Sequence, residues 1–116
     1  MGFRKLLAYE KDFKLAMEIF EISKSFPKEE TYSLTDQIRR SSRSVCVNIA
    51  ESYRKRIYPK HFISKLSDSN AETLSWLEFA LACNYITMED KKELEYKNIE
   101  VGKLISYMMN NPDKFR

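Results

Sequence analysis

The chain is poor in the residues that make tight turns: its 116 positions include only two glycines and three prolines. Hairpins and phosphate-cradling loops draw on residues that adopt positive φ, so this scarcity argues against a turn-rich all-β fold and against a glycine-rich nucleotide loop. Apolar runs are short as well. None approaches the roughly 20 residues that cross a bilayer, and the opening MGFRKLLAYEKDF has too small an apolar core for a signal peptide. A cytoplasmic chain with no membrane partner is expected. There is one histidine, His61, and no CxxC; the two cysteines, Cys46 and Cys83, give no disulfide framework and read as free, buried thiols. A zinc site needs about four spaced ligands and a Ser/His/Asp triad would have to use His61, which sits in the basic PKHF, so no metal, no cofactor and no catalytic residue is expected.

What remains is suited to long helices. Hydrophobic residues make up 43% and charged residues 32%, a balance typical of one globular domain spanning residues 1–116. Phe13, Met17 and Phe20 recur at helical spacing beside a second stripe of Leu15, Ile19, Ile22 and Phe26, which predicts a first helix over about 10–26, buried over a wide arc and stopped by Pro27. Ser33 with Asp36 has the form of a capping box opening a second helix over about 34–56. Pro59 starts a third over about 60–85, with Phe62, Leu66, Leu77 and Leu81 on one side and Trp76, Phe79 and Cys83 widening the apolar arc. Thr87 with Asp90 is a second capping box, opening a fourth helix over about 89–110. Four helices joined by short loops predict an all-α, up-down-up-down four-helix bundle.

Charge is distributed unevenly along these helices. Residues 37–65 hold eight basic side chains against one acid, a net of +7, whereas residues 66–100 hold three basic against eight acidic, a net of −5. Arg39, Arg43 and Arg54 share one face of the second helix, and Lys55, Arg56, Lys60 and Lys65 carry the positive field around the following corner. Such a stripe attracts phosphates without reading bases, although a basic run is also the ordinary content of a solvated helix face. Arg40 either joins that face or turns into a helix seam against an acid such as Glu72. Small residues from Ser41 to Ser52 let a neighbouring helix approach closely, and Val47 lies off the core line of Leu34, Ile38, Val45 and Ile49, leaving a second apolar contact suited to self-assembly.

From the end of the first helix through the second, Phe26-Pro27, Glu30, Tyr32, Leu34, Gln37-Ile38-Arg39-Arg40, Ser44-Val45 and Asn48-Ile49-Ala50-Glu51 resemble the signature FPxxExYxLxxQIRRAxxSxxxNIAEG of the bacterial four-helix bundle proteins. These are also called intervening-sequence proteins, because some are encoded within large-subunit ribosomal RNA genes, and they include the accessory variability determinant of diversity-generating retroelements. A second family pattern is matched by Asp68-Ser69-Asn70-Ala71-Glu72, Leu77, Ala80 and Asn84-Tyr85-Ile86. The chain departs at Ser52 and Asp68, where the family has glycine, and at Cys46, where proline is common.

The resemblance implies a homo-oligomeric ring, typically a pentamer, without enzymatic activity, whose retroelement members bind nucleic acid and a reverse transcriptase. It implies a structural polar network, buried or at subunit contacts, through Arg40, Ser44, Asn48, Glu51 and Glu72. On that placement Arg40→Ala would cost about 3 to 5 kcal/mol, as when one partner of a buried pair is lost. The charge pattern assigns Arg39, Arg43, Arg54, Lys55, Arg56, Lys60 and Lys65 to contact with RNA or DNA phosphates. Two functions follow: a nucleic-acid-binding accessory protein, or a protein-interaction scaffold that never touches nucleic acid.

Overall fold

The computed structural model describes residues 6–55, 59–111 and 114, with the side chains of 52–55, 59–63 and 109 excepted. Helices α1 (Leu7–Ser23), α2 (Leu34–Lys55), α3 (Pro59–Ala82) and α4 (Met88–Asn110) are all-α, and a short 3₁₀ turn, Lys28–Glu30, links the first two. No strand occurs among the described residues. Each helix packs on the next and α4 returns to α1, while the backbones of α1 and α3 stay apart across the diagonal, so the four stand at the corners of a square. Contacts run antiparallel around it. Asp12 meets Cys46 where Ser23 meets Arg39, and Glu18 meets Lys97 where Lys11 meets Glu100.

Helix ends follow local chemistry. α1 closes at Ser23 rather than at Phe26, because the amides of Lys24, Ser25 and Phe26 bond three residues back, tightening the last turn before Pro27. The start of α2 differs from the expected Ser33/Asp36 box. Glu30, delivered by the 3₁₀ turn, accepts from the Ser33 hydroxyl (2.6 Å) and the Leu34 amide (3.3 Å), and Asp36 pairs with Arg40 instead. The Tyr85 hydroxyl donates to the other Glu30 oxygen (2.8 Å), tying this turn to the end of α3. These hydrogen bonds hold the Glu30 carboxyl below its ordinary range. α3 ends at Ala82 in a Schellman turn: Asn84 takes a left-handed φ of 62°, and the Tyr85 and Asn84 amides reach the carbonyls of Ala80 and Leu81. The Thr87–Asp90 box at α4 is reciprocal, as its sequence suggests.

Leu15, Ile19, Ile38, Val45, Ile49, Leu66, Leu77, Val101 and Ile105 fill the core. α1 is buried over a narrower arc than its two stripes predict, since Phe13 and Met17 face outward. The outer apolar arc of α3 is likewise open: Phe79 and Cys83 are exposed, so only Cys46 of the two free thiols is buried.

Polar ties stitch the helix pairs within this core. Between α2 and α3 the buried Ser41 and Thr73 hydroxyls share a hydrogen bond (2.9 Å), and Ser69 donates to Ser44 (3.0 Å). Between α3 and α4, Asn70 and Asn98 exchange amide bonds with each other's backbone carbonyls (2.9 and 3.0 Å). A Cβ on Gly102 would lie 2.7 Å from Asn70 Oδ1, so glycine there leaves room for the Asn70 amide in this clamp.

Candidate functional site

The basic residues of α2 separate according to where a 100° step per residue puts them. Arg39 leans across α1, its Nε donating to Ser23 Oγ (2.8 Å) and its guanidinium lying 4.7 Å from the Phe20 ring centre. Arg43, one turn on, lies 5.4 Å from the same ring, and Lys24 approaches it at 4.9 Å. Three cations therefore crowd one aromatic ring, whose quadrupole offsets part of their mutual repulsion. Phe20 had read as core; instead it is the platform of a cationic cluster, a role that only the α1–α2 crossing makes visible.

Arg40 points away from this cluster. Its side chain is 74% exposed and pairs with Asp36 one turn earlier at 3.6 Å. Within the chain this replaces the expected pair with Glu72, which sits exposed on the outer side of α3. Glu51 is exposed too. Within one chain, Asn48 donates to the Ser44 carbonyl and hydroxyl (2.8 and 2.9 Å) and Ser44 receives Ser69, while the side chains of Arg40, Glu51 and Glu72 lie exposed, so Arg40 and Glu72 are not joined inside the bundle. A solvated i,i+4 pair contributes little, so Arg40→Ala is expected to lower stability by only about 0.5 kcal/mol, read as a urea midpoint. A loss of several kcal/mol would restore a buried role for this side chain.

Lys65 is exposed near the start of α3. Arg54 and Lys55 lie in the last turn of α2 and Lys60 in the first turn of α3, with their side chains outside the described set; Arg56 lies outside the described residues altogether. Of the described cations between 37 and 65, only Arg40 has a carboxylate partner. Elsewhere two lysines are each held by a pair of carboxylates: Lys97 bridges Glu18 and Glu93, and Lys91 bridges Glu78 and Glu95.

Asp12 is the side chain that its sequence position conceals. It is 1% exposed, inside the α1–α2 seam, and accepts the Cys46 amide at 3.2 Å. Burial pushes its carboxyl up to about 7, with hydrogen bonds from Cys46 drawing it partly back. Burial and the neighbouring Asp12 push the Cys46 thiol up in turn, away from the reactive thiolate. A lone acid on a surface-like helix reads as solvated, and no residue beside Asp12 signals otherwise. Among the described residues no group of three or more His, Cys, Asp or Glu is placed to hold a metal, and no helix is long and apolar enough to cross a membrane.

The antiparallel four-helix arrangement and the α2 motif together define the class of the protein. Residues 4–107 match the family described as 23S rRNA-intervening sequence protein, and the chain belongs to that family. No curated protein matches it. A crystal structure described as a protein with unknown function from the S23 ribosomal protein family of Bacteroides thetaiotaomicron superposes with a TM-score of 0.80 over 90% of this chain and 96% of that one. At 23% identity the likeness concerns the fold.

Proposed function

We propose that the chain is a non-enzymatic accessory protein that self-associates, as the ring-forming pentamers it resembles do, and binds RNA or DNA through phosphate contacts without strong base specificity. The carrying observation is the unbalanced charge of residues 37–65, eight bases against one acid, in a chain whose cross-helix ion pairs, Lys11–Glu100, Lys91–Glu78 and Lys97–Glu18, all lie outside that stretch. Arg39 and Arg43 are backed by an aromatic ring rather than by carboxylates, and Arg54, Lys55, Arg56, Lys60 and Lys65 cluster in sequence at the α2–α3 corner. Phosphate binding at such a surface proceeds by counterion release.

Reversing Arg54, Lys55 and Arg56 to glutamate is expected to weaken a low-salt RNA mobility shift by on the order of ten-fold or more, whereas reversing Lys92 and Lys103 on α4 leaves it within about two-fold. Equal losses from both sets would remove the corner from the site. The scaffold reading, in which the partner is a protein such as a reverse transcriptase, draws support from the apolar groove between α1 and α2. Capture of the same partners before and after nuclease digestion would favour it.

A further inference from the structure

One side of the bundle carries apolar surface that the core does not use. The groove between α1 and α2 encloses about 370 Å³ and is lined by Tyr9, Phe13, Met17, Val47 and Ala50, with Arg43 at one end. Phe13 is 51% exposed and Val47 60%. Phe20 follows Phe13 by seven residues, two turns or about 10.5 Å. Along the groove, therefore, an apolar floor gives way after about 10 Å to the Arg39–Arg43–Lys24 cluster on Phe20.

The outer side of α3 presents the complement. Asp68, Glu72, Ser75 and Phe79 recur at helical steps and are all exposed, opposite the buried Leu66, Thr73, Leu77 and Ala80. Phe79 is 57% exposed and steadied by Trp76, ring centres 5.9 Å apart. Glu72 precedes it by seven residues, the same interval of about 10.5 Å. Neither Asp68 nor Glu72 makes an ion pair with a described residue.

The geometry points to the α1–α2 groove as the seat for the outer face of α3 from a second copy, with Phe79 over Phe13 and Val47 and with Glu72 and Asp68 toward Arg39 and Arg43. This rests on the self-association proposed above and assigns it surfaces. Because α1 and α3 occupy diagonal corners, the two surfaces are separate, so the contact runs head to tail and each copy offers a groove to one neighbour and an α3 face to another. Contacts of that kind close into a ring or continue as a filament. The basic residues are thereby divided: Arg39 and Arg43 meet a neighbour's carboxylates, and phosphate contact falls to Lys65 and the corner.

Light scattering of the full chain tests this, with far-UV circular dichroism as the check on folding. The wild type is expected at a multiple of 13.8 kDa. Val47→Glu and Phe79→Glu, both at exposed positions, are each expected to give the single-chain mass with unchanged helicity. Arg43→Glu and Glu72→Arg should each raise the dissociation constant by about ten-fold or more, and the two combined should bring it back to within about three-fold of the wild type. A single-chain wild type overturns the proposal, as does either glutamate variant that keeps its mass or a double variant no better than the singles. A Val47→Glu chain of unchanged mass that loses RNA would make the groove a nucleic-acid surface. Arg54→Glu with Lys55→Glu separates the two readings: it should lose the RNA shift and keep the mass. A wild type that assembles but shifts no RNA would refute phosphate binding alone.

Discussion

Asp12→Asn is expected to stabilise the chain above neutral pH by about 4 kcal/mol while changing little near pH 4. The reason is the raised carboxyl: an ordinary aspartate value of 3.8 becomes about 7 in the folded seam. The folded state therefore prefers the protonated form, and its advantage is complete below the unfolded value and lost as pH rises through the folded one. A displacement of about 3 units corresponds to roughly 4 kcal/mol of folding free energy, against a typical total of about 5 to 15. The asparagine amide is neutral throughout and can still accept the Cys46 amide, so its stability should vary less between pH 4 and 8. Urea midpoints at pH 5 and pH 8 provide the measurement. Parallel profiles for the wild type and the variant would mean that Asp12 stays ionised in the fold. Glu30 acts in the opposite sense: its lowered value adds stability above the ordinary carboxylate range that is lost as pH falls. Since both proteins share that acid limb, it cancels from their difference.

Asn98→Ala is expected to cost about 3 kcal/mol. Asn98 is buried, donates to the Asn70 carbonyl at 3.0 Å and accepts from the Asn70 amide at 3.1 Å. Truncation removes both bonds, leaves a small void between α3 and α4, and strands part of the Asn70 side chain. Asn98→Asp offers a second arm, because it keeps the shape but turns a donor into a charge; it should cost at least as much near neutral pH. Urea midpoints read both. A loss below about 0.5 kcal/mol for the alanine variant would show that water replaces the clamp without penalty.

Helix number and class were legible because the capping and breaking residues are local signals. Thr87 and Asp90 meet as their spacing suggests, since nothing else competes for the Thr87 hydroxyl. Ser33 and Asp36 have the same form and do not meet, because the preceding 3₁₀ turn brings Glu30 within reach of Ser33 and Arg40 lies one turn from Asp36. Outcomes of that kind depend on rivals three or four residues away, which a short pattern does not weigh. On α1, two adjoining apolar stripes predict burial over a wide arc, yet only one of them faces the core. The crossing with α2 decides it, burying Leu15 and Ile19 and leaving Phe13 and Met17 outside.

The site was legible in part. Charge counting located the basic stretch, and helical phase placed Arg39 and Arg43 together, as their shared Phe20 ring shows, whereas Arg40 between them turns away to Asp36. Asn48, a member of the polar network that the resemblance implies, makes a local bond one turn back, and the Ser44–Ser69 and Ser41–Thr73 pairs join α2 to α3. Asp12 was not legible, since its burial arises wholly from α2 lying over it.

The most direct test is the salt dependence of RNA binding by the wild-type chain. If the corner cations hold about four phosphates, log K should fall against log salt with a slope of about −3, and the slope should flatten by about 1 for each of Arg54, Lys55 and Arg56 that is neutralised. A slope near zero, or one unaltered by those substitutions, would contradict phosphate contact at this surface.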